Sequence, residues 1–354
     1  MTERVELRLY TAAQLKDWLL LGHIAEGLSD ELIDRTRAYA LVNNPFVSDE
    51  MVLVSALFVD GELAAYTYVF PDRMERPFGR TLYFATALHV KPKYEGRGYA
   101  YCVVAAICEL YGDDYLDLDA AEATVEVMRY QGMKVRYLPQ YVLRQKAISG
   151  NSIKARIARV WEYLCRNQRS KEALLRKQLA QSDYELQYVN YLDDATYAFI
   201  KEHACGDLLL RRRETFDWIL QHPLMQESPL RTRVRSRCWF ASAMTVFRLY
   251  GVVVRKHGTM VGFVVLRASQ HEWAVKYIYY DPAAARDVFL AVTEHLLAQP
   301  KAVFTTANRL LHVFVAQYGL FACDEVYQKS FAYPANFNHD ETLEVQAGEG
   351  DNVT

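Results

Sequence analysis

The most informative chemistry in this chain sits in one run: Val90-Lys91-Pro92-Lys93-Tyr94-Glu95-Gly96-Arg97-Gly98-Tyr99-Ala100. A β-rich segment, TLYFATALHV, leads into it, and the segment AYCVVAAICEL leaves it. The latter is apolar for almost three turns, as a buried helix would be. A strand, a glycine loop and a helix start in that order can gather successive backbone N–H groups at a helix N-terminus. Those donors and the helix dipole suit a phosphate or pyrophosphate. Glycines permit positive φ and close approach of a ligand to the backbone. Ala100 is small enough for the first helical turn to approach closely as well. The same residues also fit an ordinary strand-to-helix turn with two convenient glycines. A dinucleotide fingerprint does not fit, because the third glycine is missing and hairpins rather than βαβ units precede the loop. A P-loop does not fit either, because no G-K-[ST] follows.

Other residues carry weaker signals. Asp117 and Asp119 alternate along a short, central-looking strand, YLDLDA. Either could act as a base, directly or through water. Alternatively, Asp119 ends the strand and Asp117 is simply paired. His89 lies on the strand before the loop. With Leu88 and Val90 on one face it points to the other, as a core or surface histidine. The nine histidines form no H-E-x-x-H and no zinc-like spacing, so no metal is expected. No G-x-S-x-G elbow is present. Arg231, Arg233, Arg235 and Arg237 alternate as one solvated edge or a face for an anionic acceptor.

The elements that would position these residues follow from periodicity. Residues 5–11 alternate as a strand, and 12–22 and 29–42 read as helices. MVLVSALFVDGELAAYTYVF is a hairpin turning at Asp60-Gly61. AAEATVEVMRYQ is a helix stopped by Gly132, and KVRYLPQYVLRQK closes the unit as a strand. Residues 151–182 read as a basic helical connector, capped at Asn151 or Ser152. Its face is either solvated or built for phosphate or partner docking. The same order then recurs. Residues 184–190 are strand-like and two helical segments follow, at 193–203 and 212–221. A hairpin turns at His257-Gly258, a strand ends in Pro282, a helix follows, and a second helix stops at Gly319. Leu88-His89-Val90-Lys91-Pro92 matches Ile278-Tyr279-Tyr280-Asp281-Pro282, and the second copy has no glycine loop after its proline.

Composition frames these readings. The chain has 354 residues, 51% hydrophobic and 24% charged, which suggests two globular domains. A net charge of -2 gives no global argument for nucleic acid or membrane as partner. Six scattered cysteines with no C-x-x-C pair fit reduced thiols. The charged start, MTERVELRLY, is no signal peptide, and no uncharged apolar run approaches the roughly 20 residues of a membrane helix. A cytoplasmic protein is expected. The tail from Asn336 is acidic and poor in large apolar residues, which predicts disorder.

The loop resembles the coenzyme A loop of the GNAT (Gcn5-related N-acetyltransferase) superfamily, V-x-P-x-x-[Q/R]-x-x-G-x-[G/A], with its preceding hairpin and strand and following helix. Residues 1–147 follow the family's order of elements. The resemblance implies an α/β chain of two tandem GNAT-like domains, each a mixed, mostly antiparallel central sheet flanked by helices. Residues 1–147 form the domain with the acyl-CoA loop, 148–183 the basic connector, 184–335 a degenerate copy, and 336–354 the tail. Asn308, eleven residues before Gly319, stands where these enzymes often carry asparagine. The resemblance further implies pantetheine pairing with backbone at Leu88, His89 and Val90, where neighbouring strands splay, and pyrophosphate on the amides of Gly96, Arg97, Gly98, Tyr99 and Ala100.

Two positions depart from the family pattern. Glu95 occupies the Q/R position, beside a pyrophosphate unless it points away or pairs with Arg97. Met128 occupies the position of the tyrosine that often serves as general acid. Tyr130 lies two residues on, about 200° around the helix. The expected function is N-acyl transfer from acetyl-CoA, or another acyl-CoA, to a small-molecule or peptide amine. Asp119 would be the base acting through water, and Tyr130 the acid. Two rivals are a non-catalytic acyl-CoA sensor, favoured by Met128, and a Fem-like aminoacyl transferase, favoured by the basic connector.

Overall fold

A computed structural model describes residues 3–22, 25–77, 79–144, 168–227, 243–299, 303–321, 323–337 and 344–349. The first half runs β1 (Val5–Thr11), α1 (Ala12–Leu21), α2 (Arg35–Val42), β2 (Val52–Val59), β3 (Glu62–Arg76), β4 (Thr81–Val90), α3 (Tyr99–Tyr111), β5 (Tyr115–Leu118), α4 (Glu122–Tyr130) and β6 (Lys134–Arg144). Thr11 starts α1 through a reciprocal capping box with Gln14. The second predicted helix is shorter than its periodicity suggested. Leu28, Leu32 and Ile33 are buried from a turn, and Asp34 then caps α2 by accepting from the Thr36 amide.

The second half comprises β7 (Tyr184–Val189), β8 (Leu210–Arg211), β9 (Gln226–Glu227), β10 (Ala243–Met244), β11 (Phe247–Lys256), β12 (Thr259–Ser269), β13 (Glu272–Tyr280), β14 (Val303–Thr306) and β15 (Cys323–Tyr333). Helices Asp194–His203, Arg213–Gln221, Ala285–Ala298 and Arg309–Ala316 lie between them. Both hairpins turn as read from sequence. Asp60 and Gly61 have φ of 50° and 82°, and His257 and Gly258 have 49° and 77°. Positive φ at both central residues matches the right-handed strand twist.

The two halves are not closed separately. Thirteen strands form one sheet in the order β1-β2-β3-β4-β5-β15-β6-β14-β13-β12-β11-β7, with β8 against β3. Parallel pairs occur at β4–β5 and β13–β14. The last described strand, β15, pairs with β5 of the first half, and β6 pairs with β14 of the second. Between them β15 and β6 share an antiparallel register from Cys323↔Arg144 to Tyr333↔Lys134. Each half is thus completed by the other's closing strand. Antiparallel closing strands of equal length present equivalent hydrogen-bonding edges, so such an exchange costs little pairing energy.

One face of this sheet carries a core common to both halves. Phe70, Phe84 and Tyr68 lie in it with Phe216, Phe263, Tyr277 and Tyr279. The indole of Trp218 donates to the Ala40 carbonyl at 2.8 Å, and Thr215 Oγ1 donates to the Asp72 carboxylate at 2.6 Å. The opposite face is covered by α3 and α4 in the first half and by Ala285–Ala298 in the second.

Disorder was predicted for the tail from Asn336. The structure corrects this for 344–349 and for Phe337, which are packed inside. Val345 and Ala347 are buried, and Glu349 meets a buried arginine. Composition missed this because two small apolar residues and one compensated charge are enough to dock a segment this short. Of the connector, only helix Gln168–Ala180 and the few residues leading to β7 lie within the described residues. Arg231, Arg233, Arg235 and Arg237 lie outside them. No described helix is long and apolar enough to cross a membrane.

Candidate functional site

The site begins with a bulge. Along β3 and β4, Tyr68 faces Thr86 and Tyr66 faces His89, so β4 carries one extra residue there. Ala87 takes φ of 60° to absorb it. On its other edge β4 pairs with β5 only at Tyr83↔Tyr115 and Phe84↔Leu116. Beyond that point the strands part. The gap is a cleft of about 260 Å³ lined by Ala85–Leu88 of β4, Asp117–Ala121 and Thr124.

From the cleft wall, β4 runs on through Val90 into the glycine loop. Pro92–Tyr94 form one 3₁₀ turn, Gly96 and Gly98 have φ of 75° and 80°, and Gly98 caps α3 without any side-chain partner. Within the described residues, the amides of residues 96 to 100 donate to no protein acceptor. A Cβ at Gly96 or Gly98 would meet nothing within 4 Å, so the glycines serve conformation and ligand approach rather than packing. The loop therefore has the free donors and helix start that anion binding needs.

Cations surround the loop, each tied to a carboxylate. Lys91 Nζ lies 2.5 Å from Glu31 and 3.6 Å from Glu62, Lys93 pairs with Glu62, and Arg97 Nη1 lies 2.9 Å from Glu3. The pairing of Arg97 with Glu95 considered from sequence does not form; Glu3 takes Arg97 instead. Exposed pairs of this kind contribute little stability, so an incoming anion can compete for them. Glu95 is exposed. His89 is half-buried with its ring 5.5 Å from that of Tyr66, on the face opposite Leu88 and Val90. Burial holds its imidazole below the usual range, with Glu95 opposing the shift and Lys91 adding to it.

Asp117 is buried in β5 and lines the cleft. Asp119 follows the strand with φ of 64°, its amide donating to Ser330 at 2.8 Å. Lys329 Nζ donates to Asp119 Oδ2 at 2.5 Å. Sequence reasoning missed Lys329. It is 210 residues away, and only the exchange of β15 into the first half brings it here. Thr86 and Thr124 were missed for want of any sequence signal beyond their polarity.

Met128 is buried in the core beneath α3 and α4. Tyr130, at the far end of α4, is 76% exposed and meets Tyr101 edge-on at 4.8 Å. The structure brings Asp119 to the cleft but does not bring Tyr130 there. Asn308 caps the helix Arg309–Ala316, its side chain accepting from the Leu311 amide at 2.9 Å. Among the described residues no cluster of three metal-ligating side chains occurs.

No family model and no curated protein sequence matches this chain. Solved structures do. A tandem GNAT protein from the clavulanic acid biosynthesis pathway is 12% identical over 95% of this chain and 100% of its own, with a TM-score of 0.51. A GCN5-related glucosamine N-acetyltransferase region of a fungal multi-domain GH3 β-N-acetylglucosaminidase is 8% identical, covering 94% of this chain and 38% of that one, at 0.50. A GCN5-related N-acetyltransferase from Kribbella flavida is 15% identical over 93% and 71%, at 0.48. At such identities the likeness concerns architecture. The chain has the fold of the GNAT superfamily in its tandem form.

Proposed function

We propose that the chain transfers an acyl group from an acyl-CoA, acetyl-CoA being the simplest, to an amine in the cleft of the first half. One observation carries the reading: β4 parts from β5 to leave a cleft, and the same strand then runs into a loop whose five amides are unengaged among the described residues. The backbone of Leu88–Val90, on the side turned away from β3, would pair with the amides of a pantetheine arm, and residues 96 to 100 would hold the pyrophosphate.

Holding the thioester and the amine in one cleft supplies acceleration through proximity. Backbone N–H groups of β4 beside the bulge would receive the developing oxyanion. The amine nitrogen forms a bond to the thioester carbonyl as the carbon–sulfur bond breaks, and Asp119, directly or through water, takes the proton that the amine loses. Lys329, which donates a hydrogen bond to Asp119, would hold that carboxylate in place. The thiol leaves as its own anion, since thiol pKa values lie near 8–9. No phenol at the cleft is required, which is consistent with where Tyr130 stands.

A second reading, an acyl-CoA sensor without turnover, is favoured by Met128 in the core at the family's acid position. Calorimetry with coenzyme A followed by a thiol-release assay over a panel of amines and peptides separates the two. Binding with release supports the transferase. Tight binding without release on a broad panel supports the sensor. No binding refutes both.

A further inference from the structure

The second half repeats the parting of strands. β13 runs beside β14 only over Glu272–Val275 and Val303–Thr306, and beyond Val275 the strands separate as β4 and β5 do beyond Phe84. In the first half that gap is the open cleft. In the second half residues 344–349 of the same chain lie along it. The Gly348 amide donates to the Lys276 carbonyl at 2.8 Å, directly after the last paired residue of β13. Gln346 Nε2 reaches to 3.5 Å from the Ile278 carbonyl, and Tyr277 Oη donates to the Gly348 carbonyl at 2.7 Å. By the internal repeat, Lys276 and Ile278 correspond to Thr86 and Leu88, which line the first cleft. On the segment's other side, a hollow of about 20 Å³ separates Val345, Gln346 and Ala347 from Ala307, Lys329 and Asp119.

The segment is anchored at both ends. The Glu344 amide donates to Gly206 O at 2.8 Å and the Leu208 amide to Glu344 O at 2.7 Å. Glu349 Oε2 accepts from Arg211 Nε at 2.7 Å, and Arg211 lies 3.2 Å from Asp72 on β3. Glycine is required at 348, where a Cβ would fall 2.2 Å from the Tyr277 ring.

We infer that the notch between β13 and β14 is a peptide-binding site whose ligand is residues 344–349, seated where the first half offers its strand edge to a coenzyme arm. The inference rests on the coenzyme reading of the first cleft. It makes the degenerate half a receptor for an extended peptide with glycine at its contact with Tyr277, and it limits the chain to one coenzyme.

The test uses a chain ended after residue 343 and a capped synthetic peptide of residues 344–349. Calorimetry should show one peptide bound per shortened chain, at least about tenfold weaker binding for the peptide carrying Gly348→Val, and none to the full chain. A folded shortened chain that binds no peptide overturns the inference. Hydrogen exchange on the full chain decides the matter independently, including when the shortened chain does not fold. The Gly348 amide should exchange roughly a hundredfold or more slower than an unprotected amide, and Gly348→Val should abolish that protection. Exchange at the unprotected rate overturns the inference. Coenzyme A titrated into the full chain should bind once, and two sites would also overturn it. No coenzyme binding would refute the reading of the first cleft instead, and with it the likening of this notch to a coenzyme place. Peptide titration and exchange would still decide the peptide site.

Discussion

Replacing Gly98 by valine tests the loop directly. Gly98 has φ of 80° and caps α3, and a Cβ there meets no protein atom within 4 Å. The variant therefore has no packing reason to unfold. It can keep the left-handed backbone, at about 1–2 kcal/mol and more for a β-branched residue, or it can relax φ to a negative value. Relaxation changes the orientation of the amides before position 98 relative to those of Tyr99 and Ala100, so the five donors lose their native arrangement. Retention leaves a branched side chain over the donors. A hydrogen bond to a charged group contributes about 1.5–3 kcal/mol, and one such bond lost is about tenfold in affinity. Coenzyme A titration should show at least that weakening, with a melting temperature close to that of the parent. Gly98→Ala should fall between the two. A folded Gly98→Val chain with unchanged coenzyme affinity would return the loop to an ordinary strand-to-helix turn.

Asp119→Asn should lower kcat by about 10²-fold, within the usual range for losing a general base, while coenzyme affinity stays unchanged; an unchanged rate removes Asp119 from the mechanism. Tyr130→Phe should leave kcat within about twofold in the thiol-release assay, because its exposed ring does not line the cleft, whereas a loss nearer the 10²-fold of a true acid would restore it to that role. Arg211→Met leaves Asp72 and Glu349 buried beside no cation and should cost about 3 kcal/mol or more, read by denaturant titration. Burial pushes the Asp207 carboxyl up to about 7, against the opposing hydrogen bond from Gln346. The folded chain then binds this proton more tightly than the unfolded chain, so the stabilisation is fully present below about pH 4 and is lost as pH rises through about 7. Melting temperature measured from pH 4.5 to 8.5 should fall more steeply in the parent than in Asp207→Asn, and equal slopes would refute the assignment.

Local chemistry alone determines much of this protein's structure. Asp60-Gly61 and His257-Gly258 state their hairpins, because few other pairs accept positive φ at both central positions. The apolar segment after Gly98 states a buried helix, and two glycines before it mark where the backbone must turn. These features depend on residues adjacent in sequence, so one chain read alone is enough to find them. What pairs with what is a different matter. β6 and β15 are both plain closing strands by pattern, and nothing in either says that it completes the other half's sheet, since antiparallel edges accept any partner of suitable length and face. Lys329 reaches Asp119 only through that exchange. The segment 344–349 looks like solvent-exposed tail by composition, yet Gly348 fits against Tyr277 and Glu349 finds Arg211 because a notch of the right shape exists elsewhere. Sequence determined the strand–loop–helix that could hold an anion. Tertiary structure decided which strands flank its cleft, which charges face it, and that the matching notch in the second half is taken by the chain itself, since each depends on groups far apart in sequence that meet only when the sheet closes.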